Sequence, residues 1–211
     1  MGPLGAIEAS VTAAAAALRR GGVIVYPTET LYGLGALAGD AGAVARLAEA
    51  KGRPDGKPMP ILAADLAQLE RVAVLGPLAR RLGEAFWPGP LTLVVEAAAG
   101  LPAPVLGGGR TVGVRITSHP VAAALCRAAG GPLVATSANL AGRPAVASLD
   151  LLDPLLRARA DALVDAGPTP GGPPSTVVAV EGGRLLLLRA GAIAVEAIEV
   201  AAGLPVERPA G

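Results

Sequence analysis

Gly-Gly-Val-Ile-Val-Tyr-Pro-Thr-Glu-Thr-Leu-Tyr-Gly-Leu-Gly occupies residues 21–35. The apolar run 23–26, stopped by Pro27, predicts a short buried strand. Ahead of it Ile7, Val11, Ala14 and Leu18 recur at helical spacing, and Gly21-Gly22 end that helix. Working along the chain, the same alternation repeats. Asp40 caps a second helix that carries Val44, Leu47 and Ala48 and ends near Gly52. A strand around 60–63, a helix around 78–86 and a strand over 91–96 follow, the last two separated by Trp87-Pro-Gly-Pro90. Strand 112–116 leads to Ser118-His119-Pro120, where Ser118 caps a helix and Pro120 starts it. That helix stops at Gly130-Gly131 before a strand over 133–135, and 176–180 with 185–189 flank Glu-Gly-Gly as a hairpin. The expected fold class is α/β (α+β): one domain over residues 1–203, a twisted mixed β-sheet flanked by helices, with a loose tail over 204–211.

Of the 211 residues 52% are hydrophobic and 17% charged, which describes a folded globular chain and excludes a disordered or coiled-coil one. Aromatic residues are only 2%, so the core must be built from Ala, Val, Leu and Ile. A net charge of +1 leaves no general footprint for nucleic acid or an anionic membrane. Gly, Pro or a charged residue breaks every apolar run before the ~18 residues a membrane span needs. The apolar segment 11–18 is preceded by Glu8 and followed, not led, by Arg19 and Arg20, the wrong order for a secretory leader. A soluble, cytoplasmic protein is expected. Cys126 is the only cysteine, which excludes disulfides within the chain, and its apolar helical surroundings predict core packing.

Scarcity points to the chemistry. Arginine outnumbers lysine sixteen to two, yet both lysines, Lys51 and Lys57, fall with Arg53 in Lys-Gly-Arg-Pro-Asp-Gly-Lys. Compact ammonium groups beside a forked guanidinium suit a polyphosphate. Uncharged polar residues cluster as well: Thr28 and Thr30 between Tyr26 and Tyr32; Thr136, Ser137 and the sole asparagine, Asn139; Ser175 and Thr176 after the Pro/Gly loop 167–174. Each alone reads as a turn or cap. Together, each beside a strand-like run, they predict loops converging on a ligand at one edge of a sheet.

Other motifs fail. Gly52-Arg-Pro-Asp-Gly-Lys-Pro58 has too few residues between its glycines for a phosphate loop and no hydroxyl residue after the lysine. Gly107-Gly-Gly109 lacks the third glycine of a dinucleotide fingerprint. His119 is the only histidine, which excludes a histidine-rich metal site, and its place before a helix-starting proline is structural. Asp150 and Asp153, ahead of Arg157 and Arg159, read as caps and a solvated face. The residues by themselves do not name a reaction.

Six segments do. The 21–35 stretch, Lys-x-Arg-Pro (51–54), Trp-Pro-Gly-Pro-Leu-Thr (87–92), Val-Arg-x-x-x-His-Pro (114–120), Thr-Ser-Ala-Asn-x-x-Gly (136–142) and Ser-Thr-Val-Val (175–178) together resemble the YrdC/Sua5 family, in order, across residues 8–193. The resemblance implies a threonylcarbamoyl-AMP synthase of the short bacterial type: L-threonine, bicarbonate and ATP condense to threonylcarbamoyl-adenylate and pyrophosphate, the first step of the t6A modification of tRNA. It implies catalytic roles for Lys51 and Arg53, nucleotide contacts from Arg53, Lys57, Thr111, Ser137, Asn139, Arg189 and the backbone near Ala145, and threonine contacts from Thr30, Leu62, Arg115, Ser175 and the backbone at Ala135. Leu62 stands where some members carry a histidine. No residue is assigned to a metal; ATP is a substrate, and Mg2+ is expected to be held by phosphates and water. A separate threonylcarbamoyl-transferase complex is the implied partner, and direct tRNA contact is left open. Two other readings stand beside this one: a carbamoyl-adenylating module of the hydrogenase-maturation type, and a non-enzymatic RNA-binding module. The loop 167–174 is expected to act as a mobile lid.

Overall fold

A computed structural model of the protein describes residues 3–53 and 56–208. Pro54 of the Lys-x-Arg-Pro segment, Asp55, and residues 209–211 of the expected tail lie outside the described residues. In chain order the elements are α1 (Pro3–Arg19), β1 (Ile24–Pro27), β2 (Tyr32–Leu37), α2 (Ala41–Lys51), β3 (Ile61–Ala63), α3 (Leu66–Leu69), α4 (Pro77–Phe86), β4 (Leu91–Glu96), α5 (Ala103–Leu106), β5 (Thr111–Ile116), α6 (Pro120–Ala129) and β6 (Leu133–Ser137). A 3-10 turn (Leu149–Leu151), α7 (Pro154–Arg159), β7 (Ala162–Leu163), β8 (Thr176–Glu181), β9 (Arg184–Arg189), α8 (Val195–Ala202) and β10 (Val206–Glu207) complete it. The strands form one mixed sheet in the order β10-β9-β8-β4-β5-β3-β6-β2-β1-β7. No described helix is long and apolar enough to cross a membrane.

The two faces of this sheet are covered unequally, and that asymmetry makes the site. Strand residues alternate between faces. On one face Val25, Leu34, Ile61, Leu93, Val114, Val134 and Val178 form a continuous core with Val44 and Leu47 of α2, Leu82 of α4 and Ile198 of α8. On the other, α1 and α6 cover only one end, where Ala14, Leu18, Leu125 and Cys126 pack on Ile24, Tyr26, Leu62 and Leu133. The strands beyond them present Thr92 and Arg115 on the uncovered part. Cys126 is fully buried, and burial pushes its thiol up to about 12, as a packing residue requires.

Three departures from the sequence expectations have local causes. Residues 32–37 form a strand, β2, that glycines concealed: the Tyr26 ring lies over Gly33 and Gly35, and a Cβ on Gly35 would sit 2.6 Å from Tyr26 Cε1. Ser118 does not cap α6; His119 holds the N-cap position without a side-chain bond, and its N–H donates instead to Thr117 Oγ1 at 3.1 Å. The segment after Gly203 is not loose at Val206–Glu207, which pairs in parallel with β9 while Val206 N–H donates to Glu199 Oε1 at 2.9 Å. The loop 167–174 is hydrogen-bonded to its surroundings at three points: Tyr32 Oη donates to the Gly167 carbonyl at 2.7 Å, Thr169 N–H to the Ala147 carbonyl at 2.8 Å and Gly171 N–H to the Thr30 carbonyl at 2.9 Å.

Candidate active site

The bare part of the sheet is the floor of a cleft of about 490 Å3, a size ordinary for small-molecule sites. Leu62 of β3 stands opposite Arg115 of β5 and Leu133 of β6, and Ala135 N–H donates to the Pro60 carbonyl at 2.8 Å, which puts Leu62 beside Arg115 and Ala135 two residues along, level with Pro60. At one end lie Lys51, Arg53, Lys57, Ser137 and Asn139; Thr92, Ser175 and Arg189 also line the cleft, and Thr28 and Thr30 come in from the β1–β2 turn. The three polar clusters of the sequence thus meet in one place. Thr111 and Ala145 do not line it: Thr111 begins β5, exposed and opposite Glu96, and the loop carrying Ala145 reaches the cleft only through Ala141 and Gly142.

Lys51 is at the C-terminal end of α2, which Asp40 caps and Gly52 closes in the left-handed conformation (φ 63°). This ending buries the ammonium rather than projecting it into solvent. Its three donors face four oxygens: the Ser137 carbonyl and hydroxyl, and the Asn139 carbonyl and Oδ1, the last two at 3.0 Å. Ala141 N–H also donates to the Lys51 carbonyl at 3.0 Å, so the helix end and the Ser137–Gly142 loop are one unit. Arg53 is partly spent on its own loop, Nε donating to the Lys57 carbonyl at 3.1 Å and Nη2 to that of Pro58, with Nη1 3.4 Å from Thr136 Oγ1. Arg189 donates to the Ser175 carbonyl and, at 2.9 Å, to its hydroxyl, which shares a 2.9 Å bond with Thr92 Oγ1. Burial pushes Arg53 down from its usual value, and burial together with the Arg115 charge does the same for Arg189; both stay protonated.

Burial, followed by the charges of Arg53 and Lys57, lowers Lys51 from 10.5 to about 8, while the four oxygens favour the ammonium and keep it charged at neutral pH. Because the folded value lies below the unfolded one, the folded chain binds fewer protons between these two pH values, and stability should rise with pH across that window. The grip on Ser137 and Asn139 weakens over the same range. The expected result is an alkaline fall in kcat/KM for the nucleotide beginning near pH 8, without a parallel fall in thermal stability. A profile flat to pH 10 would contradict it.

Thr92 and Glu29 were not singled out from the sequence. Thr92 carries a signal, being the lone polar residue between Leu91 and Leu93 in a buried strand. Glu29 carries a weaker one, as the only carboxylate in the 21–35 stretch.

Residues 16–191 match the family model named Sua5_yciO_yrdC and described as "Telomere recombination". The threonylcarbamoyl-AMP synthase of Halorhodospira halophila is 47% identical over 165 residues, covering 77% of this chain and 85% of that protein. That of Bacillus subtilis is 41% identical over 198 residues, 93% of this chain but 57% of its own length. The structure of Pyrococcus abyssi Sua5 complexed with L-threonine superposes with a TM-score of 0.86 at 38% identity, over 93% of this chain and 58% of that one. The chain therefore spans somewhat more than half the length of the Bacillus and Pyrococcus relatives. Full-length HypF, in its phosphate- and nucleotide-bound form, shares the fold alone at 20% identity (TM-score 0.73). With the profile matched over most of its length and a relative at 47% identity matched over most of that protein, the chain belongs to the Sua5/YciO/YrdC family.

Proposed function

We propose that this protein is a threonylcarbamoyl-AMP synthase, condensing L-threonine, bicarbonate and ATP. The observation that carries the reading is the charge of the cleft: its described lining holds five cationic residues, Lys51, Arg53, Lys57, Arg115 and Arg189, and no carboxylate. Such a cleft selects ligands with several negative charges. No ion pair among the described residues engages Lys51, Arg53, Lys57 or Arg189. Arg53, Lys57, Ser137, Asn139 and Arg189 are the groups for the nucleotide, and Lys51 acts first by holding Ser137 and Asn139 in place. Thr111 and Ala145, outside the lining, have no part in this assignment.

Arg115 is the receptor for the threonine carboxylate. It is 9% exposed, lines the cleft, and its side chain, though ion-paired with Glu29, donates no hydrogen bond to any described residue, so a planar fork of donors is open to a planar acceptor. Thr30, Ser175, Leu62 and the backbone of Ala135 form the rest of that subsite. In the reaction the threonine amine joins the carbon of bicarbonate with loss of water, giving a carbamate. A carbamate oxygen attacks the α-phosphorus, the bond from that phosphorus to the bridging oxygen breaks, and pyrophosphate leaves. Positioning and charge neutralisation are what such a transfer requires. The described lining offers a divalent ion no carboxylate, and no group of three metal-ligating side chains occurs among the described residues, so no step is assigned to a protein-held metal. The product is a labile mixed anhydride, suited to hand-over in the cytoplasm to a separate threonylcarbamoyl-transferase complex acting on tRNA.

The test is pyrophosphate release from ATP with L-threonine and bicarbonate each present and omitted. Release requiring both is expected. Release driven by carbamoyl phosphate instead, or RNA binding without any release, would overturn the assignment.

A further inference from the structure

Glu29 is not among the residues that line the cleft, but it pairs with Arg115, which is. It sits in the β1–β2 turn, and its side chain is 11% exposed, as is that of Arg115. Its two oxygens do different things. Oε2 accepts from Thr117 Oγ1 at 2.7 Å, and Thr117, itself 3% exposed, is fixed by the His119 N–H. Oε1 lies 3.3 Å from Arg115 Nη1 without hydrogen-bond geometry, and is buried with no hydrogen-bond partner. The carboxylate therefore compensates the charge of the arginine without accepting a hydrogen bond from it.

This divides the cleft electrically. Lys51, Arg53, Lys57 and Arg189 have no acidic partner among the described residues, whereas Arg115 does. A triphosphate gains most where positive charge is uncompensated. An amino acid is a zwitterion, with an ammonium that a bare cationic pocket would repel. A forked donor paired with a carboxylate offers the amino acid directional hydrogen bonds at the one cation of the described lining whose own charge is compensated. We infer that Glu29 is a specificity-determining positioning residue: by compensating the charge of Arg115 while leaving its hydrogen-bond donors unused, it reserves that arginine for the carboxylate of a zwitterion and keeps the polyphosphate out of the amino-acid subsite. The inference rests on the threonine assignment above and adds to it the device that keeps two anionic substrates apart.

The experiment is a calorimetric titration of the full chain with L-threonine, with and without saturating inorganic tripolyphosphate as the polyanion probe. In the unaltered protein the two bind together, and the threonine Kd changes less than about twofold. In Glu29→Gln, nearly the same shape without the charge, tripolyphosphate should compete and raise the apparent threonine Kd at least tenfold. Glu29→Asp, which keeps the charge, should restore simultaneous binding. Thr117→Val, which removes an anchor but not the charge, should weaken threonine binding without creating competition. Competition already present in the unaltered protein, its absence in Glu29→Gln, or its appearance in Thr117→Val would overturn the inference. The measurement on the unaltered protein stands even if a variant fails to fold. Failure of the unaltered protein to bind threonine at all would instead overturn the function proposed above.

Discussion

Replacing Lys51 by methionine is expected to cut pyrophosphate release by two to three orders of magnitude while the chain still folds. Methionine matches the length and apolar stem of lysine, so α2 keeps its packing. Four oxygens on Ser137 and Asn139 then lose their shared donor. Leaving buried acceptors unpaired costs about 1–3 kcal/mol each, more where the lost donor was charged. Those at the cleft surface recover part of this from water, which leaves roughly 3–4 kcal/mol, or about 10²–10³-fold in rate. Lys51→Arg should not rescue, because a planar guanidinium cannot direct donors at the same four oxygens as an ammonium. Steady-state kinetics beside a thermal melt would check both statements. Loss of less than tenfold would show that the Ser137–Asn139 loop holds its shape without the lysine.

Gly191→Ala is expected to damage activity more than stability, from a position that lines nothing. A Cβ on Gly191 would lie 2.2 Å from the Pro174 carbonyl oxygen and 2.6 Å from the Ser175 carbon and the Thr176 nitrogen. All three atoms are backbone, so the segment 174–176 must move. Thr176 Oγ1 donates to the Ile193 carbonyl at 2.7 Å and Arg189 holds the Ser175 carbonyl at 2.8 Å, so the displacement propagates directly to the Ser175 hydroxyl. Overpacking of this kind costs about 1–3 kcal/mol in stability. A misplacement of about 1 Å at a reacting site costs on the order of 10²-fold in rate. Gly100→Ala, where a Cβ meets nothing within 4 Å, is the control for a glycine substitution as such, at some cost from its positive φ of 94°. A Gly191→Ala protein with unchanged threonine KM and kcat would mean that Ser175 is not held by this contact.

Much of the cleft was legible because the composition is so uneven. Two lysines among sixteen arginines drew attention to residues 51–57, and the single asparagine marked the Thr136–Asn139 turn. The helices over 41–51 and 120–129 could be placed because Asp40, Gly52, Pro120 and Gly130 are local signals with local causes. β2 was hidden because Gly33 and Gly35 are poor strand formers by propensity, and only the Tyr26 ring above them explains their presence. The Glu29–Arg115 pair was hidden for another reason. Its partners are far apart in the chain, and nothing in either neighbourhood names the other.

The sequence by itself determined the helices and strands that carry local signals, the fold class and the family, since caps, breaks, alternation and motif order are properties of short stretches. It also determined which residues are chemically unusual. The tertiary structure alone decided where they stand: that α1 and α6 cover only one end of a sheet face, that Arg115 and Thr92 fall on the part left bare, and that Lys51 spends its charge on a loop while Arg115 keeps its donors free. Alternation assigns a side chain to a face, but whether that face is buried or open depends on which helices reach it, and that is set by packing across the whole chain.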